Sequence, residues 1–199
     1  MASPFDNDPY LDPESGVLLN LAGIRDAMVL ERFEAEMSVL RQMELSRQQV
    51  GGDFDLPYLK AIHRHLFQDV YEWAGETRTV DIAKGGSRFG SYHFIESYLG
   101  SIFSKLAEER KTWDRSVKGV ELSGRIAAYL GEINAVHPFR EGNGRTQRIF
   151  IGKLAAAHGR VIYWDKMTPG EMLEASIASF RGNNDLLRYL IQRSSNEGL

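Results

Sequence analysis

Apolar side chains recur at every third or fourth position along most of this sequence, the spacing that places them on one face of an α-helix. Such stripes run over residues 30–43, 56–66, 95–106 and 122–136. The pattern predicts another helix over about 149–157 and shorter ones over 169–179 and 185–193. The predicted fold class is therefore all-α, a helical bundle.

Residues at the ends of two stripes support this assignment. Asp55 stands before Leu56 and Pro57, which is typical of an N-terminal cap followed by proline in the first turn. Gly159 follows the stripe that ends near residue 157 and is expected to stop that helix. These signals predict where individual helices begin and end.

Composition excludes several classes of protein. With 199 residues and no obvious linker, the chain is expected to form one domain, 1–199. It has no cysteine, which excludes disulfides and thiol catalysis, and its net charge of −3 predicts no direct nucleic-acid ligand. The sequence contains no run of about 18 apolar residues, so no membrane span is predicted. Its first residues lack the pattern of a secretory signal. A cytoplasmic location is expected.

The residues most suggestive of chemistry lie in a twelve-residue segment that begins at His137. His137 is suited to accept a proton near neutral pH, and Glu141 offers a hard oxygen ligand for Mg²⁺. The turn at 142–144 can point successive backbone N–H groups at an anion. Arg145 and Arg148 are three apart, so on a helix they share a face and could clamp neighbouring phosphates. Each element alone is weak evidence, but the ordered set predicts a polyphosphate site.

This ordered set resembles the signature of the Fic family, His-x-Phe-x-(Asp/Glu)-Gly-Asn-Gly-Arg-x-x-Arg, with every signature position filled. Segments 7–18 and 73–78 also resemble the single-domain bacterial Fic toxins and the Fic modules of type IV secretion effectors. The resemblance implies the Fic fold, with a short β-hairpin flap beside the active-site loop. It covers most of the chain, and only the motif at 137–148 is specific enough to imply chemistry.

The resemblance implies transfer of AMP from ATP to a Tyr, Ser or Thr hydroxyl of a target protein. His137 would be the general base, and Glu141 would hold Mg²⁺ against the phosphates. Phe139 is expected to point inward and anchor the loop. Some family members carry Lys in place of Gly144 and phosphorylate their targets, so the glycine here favours AMP transfer.

Phosphate binding is implied for the turn and the two arginines. The turn residues that would cradle the phosphates are Gly142, Asn143 and Gly144. The Asn143 side chain is expected to help orient the α-phosphate, while Arg145 and Arg148 would pair with the β- and γ-phosphates.

A β-leaning segment over about 78–92 interrupts the helical pattern. It predicts two short strands around the turn Gly85-Gly86. A surface hairpin without a role is the simple interpretation. The resemblance instead implies a flap that holds the protein substrate by main-chain pairing and places Lys84 and Gly85 near the nucleotide.

The remaining histidines carry no ligand-like pattern. His63 and His65 are two apart on a predicted helix and so point to different faces, which makes a shared metal site unfavourable. Together with His93 and His158 they are predicted to serve packing or to lie on the surface.

Regulation and partners are implied by the resemblance. Many family members carry an inhibitory helix with Ser/Thr-x-x-x-Glu-Gly/Asn, whose Glu pairs with the second motif arginine. Glu precedes Gly or Asn here only at Glu141 and Glu197, and neither has Ser or Thr four residues earlier. We therefore expect a separate small antitoxin to supply the Glu, and the B subunits of DNA gyrase or topoisomerase IV as targets. The alternatives are an effector module that modifies host GTPases, a kinase or phosphocholine transferase on the same scaffold, and a degenerate binding scaffold.

Overall fold

The described part of the chain, residues 8–47, 53–84, 87–113 and 119–197 of a computed structural model, is mostly helical. Its helices are α1 (Ala27–Arg47), α2 (Leu56–Phe67), α3 (Ile95–Arg110), α4 (Gly119–Val136), α5 (Asn143–Ala157), α6 (Pro169–Phe180) and α7 (Asp185–Arg193). Short strands are β1 (Ala83–Lys84), β2 (Ser87–Arg88), β3 (Arg160–Ile162) and β4 (Ser195–Glu197). None of the described helices combines the length and hydropathy that crossing a membrane requires.

Helix α4 lies at the centre of the bundle, because it packs against α3, α5, α6 and α7. The stripe predicted for it is buried throughout: Leu122, Ile126, Tyr129, Leu130, Ile133 and Val136. Helix α5 contacts α4 on one side and α2 on another and buries Phe150, Ile151 and Leu154. The loop between α4 and α5 is therefore held by helices at both of its ends, and this loop contains the start of the motif.

Helix boundaries follow the predicted signals. The Asp55 carboxylate accepts a 2.8 Å hydrogen bond from the Tyr58 N–H and so caps α2, with Pro57 in its first turn. Helix α5 ends at Ala157, and Gly159 has a φ of 72°, the left-handed conformation that ends helices. Local sequence signals are sufficient here because both ends depend on neighbours in the chain.

The buried face of α1 differs from the prediction. Leu40 and Met43 were expected in the buried stripe, yet each is 55% exposed. Between the buried residues Leu30 and Leu45, the buried positions of α1 are instead occupied by Glu34 and Ser38. The inward face includes polar groups because their partners are polar side chains near the motif.

Two small antiparallel sheets accompany the helices. Strands β1 and β2 pair Ala83 with Arg88 and Lys84 with Ser87, which agrees with the predicted hairpin. Strands β3 and β4 pair Arg160–Ile162 with Ser195–Glu197, which was not predicted. Strand β4 has the sequence Ser-Asn-Glu, which shows no alternation of apolar and polar residues. Its pairing therefore depends on α7, which brings it beside β3.

Candidate active site

The loop after α4 is closed by two hydrogen bonds from one side chain. Asn143 Oδ1 accepts from the Phe139 N–H at 2.9 Å, and Asn143 Nδ2 donates to the Phe139 carbonyl at 2.8 Å. Phe139 is buried, as predicted. Both polar atoms of the Asn143 amide hold the loop here, and the expectation that this side chain helps to orient the α-phosphate stays a prediction.

Gly142 turns the chain into α5. Its φ is 78°, and α5 begins at the next residue. The first hydrogen bond of this helix runs from the Thr146 N–H to the Gly142 carbonyl at 3.1 Å. The N–H groups of residues 143–145 precede that bond, so they need acceptors from outside the helix. Such a helix start favours an anion, because the N–H groups and the helix dipole act together.

The Glu141 carboxylate is partly exposed beside this turn. Its Oε1 accepts a hydrogen bond from the Gly142 N–H at 2.8 Å. The other carboxylate oxygen, Oε2, can serve as a ligand for a cation. Within the described ranges no group of three or more His, Cys, Asp or Glu residues is arranged to hold a metal. A cation here would therefore need phosphate and water oxygens as its further ligands, which is the usual environment of Mg²⁺.

His63 supports the loop from α2. Its Nδ1 accepts from the Gly75 N–H at 2.8 Å, so Nε2 carries the hydrogen and donates to the Glu141 carbonyl at 3.0 Å. The ring also stacks on Phe139, with centroids 3.9 Å apart. The prediction of a packing role is correct as far as burial goes, but it missed that His63 holds the backbone of the motif.

Acid should destabilise the fold through His63. Burial lowers the pKa of His63 from 6.5 to about 3, so between these values the unfolded chain binds more protons than the folded one. The free energy of unfolding then rises with pH across this window and falls on acidification, by about 1.4 kcal/mol per pH unit. Urea unfolding at pH 6.5 and 4.5 measures it, and we expect a loss of about 2 kcal/mol from this residue, because the unfolded imidazole is already half protonated at pH 6.5.

The matched control is His63→Gln, since glutamine keeps a donor and an acceptor but does not titrate. Its unfolding free energy should fall less steeply between the same two pH values, and the difference isolates His63 from all other titrating groups. Equal slopes in the two proteins would contradict the assignment.

Arg145 is engaged by α1 and α2. Its guanidinium pairs with the Glu34 carboxylate, donates to Ser38 Oγ at 3.0 Å, and lies 4.8 Å over the Phe67 ring. Glu34 is only 7% exposed and also accepts a hydrogen bond from the Tyr71 hydroxyl. The sequence predicted that Arg145 pairs with phosphate, but its side chain here joins the motif helix to α1. Glu34 could have been suspected only from its position four residues after Leu30 on a buried face.

Arg148 differs from Arg145 in its surroundings. Burial, and secondarily the nearby Arg145 guanidinium, lower the pKa of Arg148. Across the described ranges, no hydrogen-bond acceptor or carboxylate partner is found for its guanidinium. Its Nη1 lies 3.4 Å from where a Cβ on Gly144 would stand, so it overhangs the start of α5. A partly buried cation above a helix N-terminus is a further element of an anion site.

His137 has an unusual backbone and a defined tautomer. Its φ of 50° is the one positive value of a non-glycine residue among the described residues. Nδ1 lies 3.1 Å from the Asn134 carbonyl, which can only accept, so Nδ1 carries the hydrogen and the lone pair of the neutral ring is on Nε2. The imidazole is stacked on Phe89 of the hairpin segment, with centroids 3.8 Å apart. The geometry suits a general base acting through Nε2 beside the hairpin.

The residue types, their order and their folded arrangement match a known family. The profile of the Fic/DOC family matches residues 53–155, more than half of the chain. The chain belongs to the Fic/DOC family.

Relatives of this Fic protein share much of its sequence. Protein adenylyltransferase VbhT of Bartonella schoenbuchensis is 51% identical over 191 residues, which cover 96% of this chain and 40% of VbhT. "Probable protein adenylyltransferase y4lH" of Sinorhizobium fredii is 40% identical over 94% of this chain and 95% of the relative. The chain thus spans two fifths of the first relative and nearly all of the second.

Solved structures share the fold. BepC of Bartonella tribocorum, with bound AMPPNP, superposes with a TM-score of 0.89 at 25% identity and covers 98% of this chain and all of that one. The N-terminal Fic domain of a Bartonella quintana effector, with bound ADP, has a TM-score of 0.88 at 27% identity over 96% and 95% of the two chains. Both structures confirm the predicted Fic fold, and both contain adenine nucleotides.

The site of this Fic protein fits the phosphates of such a nucleotide. The N–H groups of residues 143–145 lack helical acceptors, and Arg148 overhangs them. Glu141 offers a carboxylate oxygen at the same turn. Of the two hairpin residues predicted near the nucleotide, Gly85 lies outside the described residues, and Lys84 is described only by its backbone, which forms the β1–β2 pair.

Proposed function

We infer that this chain is a protein adenylyltransferase of the Fic family and that it transfers AMP from ATP to a hydroxyl side chain of a target protein. The observation that supports this best is the folded motif loop. One end carries His137 with its lone pair on Nε2, and the other end opens α5 with N–H groups that need acceptors. Transfer of a phosphate-bearing group to a hydroxyl needs a base and an anion site of this kind.

Nε2 of His137 accepts the proton of the target hydroxyl as its oxygen attacks the α-phosphorus of ATP. A new oxygen–phosphorus bond forms, the bond from the α-phosphorus to the bridging oxygen breaks, and pyrophosphate leaves. The N–H groups of residues 143–145 hold phosphate oxygens and stabilise the charge that develops there. Mg²⁺, when bound at Glu141, would neutralise charge on the leaving pyrophosphate.

The position of the transferred label tests this proposal. The chain is incubated with Mg²⁺, a target protein and ATP labelled at either the α- or the γ-phosphate. Protein label from the α-position alone supports AMP transfer, while label from the γ-position would make the chain a kinase despite Gly144. Other Fic adenylyltransferases, tested with their own targets in the same assay, serve as positive controls. If they label these targets and this chain transfers label from neither position, the result would count against the proposal.

For the target, we propose the B subunit of DNA gyrase or topoisomerase IV, held on the hairpin. The support is the resemblance of the N-terminal segment to single-domain Fic toxins. The relatives of known structure include secretion-system effectors, so a host protein is the competing target class. Parallel labelling of purified gyrase B, topoisomerase IV B and a panel of small GTPases distinguishes them, because only the true substrate should be labelled to completion.

We further propose that a separate small antitoxin inhibits this chain by placing a Glu on Arg148. The support is the absence of the inhibitory motif from the sequence, together with the lack of an acceptor for Arg148 in the described ranges. Glu34 does not serve this purpose, because it pairs with Arg145 instead. A helical peptide with Ser-x-x-x-Glu-Gly should inhibit transfer, and its Glu→Ala version should not. Equal inhibition by both peptides would contradict the proposal.

Replacing Arg148 by alanine should weaken ATP binding more than it affects folding. The variant removes a charge-assisted partner of phosphate, which is worth about 1.5–3 kcal/mol or a ten- to hundredfold rise in Kd. Removing a partly desolvated cation without a carboxylate partner should leave the unfolding midpoint near that of the parent. Isothermal titration with a non-hydrolysable ATP analogue measures the effect. Arg188→Ala is the matched control, since Arg188 pairs with Asp185 on α7; equal ATP affinity in both variants would contradict the assignment.

A further inference from the structure

Arg78 is a fully buried cation that no part of the reaction scheme uses. It is 2% exposed, and among the described residues it is the largest side chain that is almost wholly buried. The nearest described carboxylate oxygen is Asp81 Oδ1, 3.7 Å from its Nη1, beyond hydrogen-bond distance. A buried guanidinium needs hydrogen-bond acceptors to offset its lost hydration, so its partners indicate what it was placed there to hold.

Those partners are four backbone carbonyls from two parts of the molecule. Nε donates to the carbonyl of His137 at 2.8 Å, and Nη2 donates to that of Val136 at 3.0 Å. Nη1 donates to the carbonyl of Val80 at 2.6 Å, and Nη2 also donates to that of Gly90. The first pair is at the end of α4, and the second pair flanks the hairpin β1–β2 on both sides. One side chain therefore joins the base to the hairpin.

The backbone of His137 needs such support. Its positive φ is unfavourable for a residue with a Cβ and persists only where the surroundings hold it. Besides the Nε bond to the His137 carbonyl, the Arg78 N–H donates to the next carbonyl, that of Pro138, at 2.9 Å. Arg78 thus holds two successive peptide groups at the residue that carries the base.

The hairpin side of the connection reaches the imidazole itself. Phe89 lies one residue before Gly90, whose carbonyl Arg78 holds and whose N–H donates to the Ala135 carbonyl at 3.1 Å. The Phe89 ring is nearly parallel to the His137 ring, with an interplanar angle of 14°. The position of the imidazole is therefore set from its backbone by Arg78 and from its face by Phe89.

We propose that Arg78 and Phe89 are positioning residues that couple the hairpin to the catalytic base. They fix the distance and orientation between Nε2 of His137 and the segment of the target protein that is bound on the hairpin. This inference rests on the proposed function, because it assigns the hairpin to target binding. Among the described residues, no hydrogen bond or ring contact joins Arg78 or Phe89 to the start of α5, which would hold the phosphates. Loss of either should therefore impair transfer and target use while leaving nucleotide affinity in place.

The variants are Arg78→Lys and Phe89→Leu. Lysine keeps the charge but cannot reach two separate pairs of carbonyls, since its ammonium is a single point on a flexible stem. Leucine keeps the bulk of a partly exposed side chain but loses the flat ring. Arg41→Lys is the matched control, because Arg41 also bonds two partners, Asp69 and Glu44, and neither of them belongs to the hairpin or to the motif.

Three quantities are measured for each protein: kcat and KM for the target in AMP transfer, and Kd for a non-hydrolysable ATP analogue. A misplacement of the base by about 1 Å costs on the order of a hundredfold in rate. We expect Arg78→Lys to lower kcat/KM for the target by about a hundredfold and Phe89→Leu by about tenfold. Nucleotide Kd should stay within about twofold of the parent in both, and Arg41→Lys should change none of the three.

The proton NMR shifts of the His137 imidazole provide a readout independent of activity. In the parent they should be displaced upfield by the ring current of Phe89, and in both variants they should move toward unstacked values. Because this measurement needs no target, it separates a failure of the inference from a failure of the proposed function. If Arg78→Lys does not fold, Phe89→Leu still carries the test.

Two results would overturn the inference. One is a folded Arg78→Lys or Phe89→Leu protein with parental kcat/KM and unchanged His137 shifts. The other is a loss of transfer accompanied by an equal loss of nucleotide affinity, because that is what general destabilisation of the site would produce.

Discussion

His137→Ala should lower the rate of AMP transfer by about 10²–10⁴-fold, the usual contribution of a positioned general base. The loss should appear in kcat rather than in nucleotide affinity, because the phosphate-binding N–H groups belong to the start of α5. The backbone at 137 keeps its positive φ with alanine, so the variant introduces no new strain that the parent lacks. Single-turnover transfer from α-labelled ATP measures the effect.

Two controls sharpen this result. His93→Ala removes an exposed histidine of the 3₁₀ turn before α3 and should transfer at the parental rate. His137→Asn removes the base but suits a left-handed backbone, so it should be as inactive as alanine and at least as stable. Undiminished transfer by His137→Ala would overturn the assignment of the base.

Gly142→Ala should destabilise the protein and abolish nucleotide binding together. A Cβ built on Gly142 would stand 2.3 Å from two ring carbons of Phe67, and the residue has a φ of 78°. The left-handed backbone costs about 1–2 kcal/mol for a residue with a Cβ, and overpacking in a filled site costs about 1–3 kcal/mol more. We expect a fall of about 2–5 kcal/mol in the free energy of unfolding by urea.

Nucleotide binding should fail in the same variant for a separate reason. The Phe67 ring also carries the Arg145 guanidinium on its face, so it cannot move aside without disturbing the motif helix. The remaining response is displacement of the turn that positions the N–H groups of residues 143–145. Titration with the ATP analogue at a temperature where the variant is folded measures this loss.

Gly170→Ala is the matched control for this substitution. A Cβ there would meet nothing within 4 Å, and the residue lies in the first turn of α6. It should change the free energy of unfolding by no more than about 0.5 kcal/mol. Equal stability of the two alanine variants would show that the close approach of Phe67 to Gly142 does not constrain the protein.

Several residues that matter to the site had no usable signal in the sequence. Glu34 bonds Arg145 across 111 positions, His63 bonds the Glu141 carbonyl across 78, and Arg78 bonds the His137 carbonyl across 59. A buried polar residue is recognisable only through its partner, and here each partner belongs to another helix or loop. The contacts of Arg145 with α1 had no signal in the sequence for the same reason, and its pairing with phosphate stays a prediction.

The sequence by itself determined the approximate positions of the helices, the cap of α2, the end of α5, the stripe of α4 and the order of the motif, because these depend on residues near one another in the chain. It was also sufficient to indicate the Fic fold and the position of the hairpin at β1–β2. Only the tertiary structure decided which motif side chains face the site and which hold it together. Packing places Asn143 on Phe139 and Arg145 on Glu34, and it sets Arg78 between the base and the hairpin. Hydrogen bonds between distant elements determine these arrangements, because a buried polar group needs a hydrogen-bond partner and that partner can belong to any part of the fold.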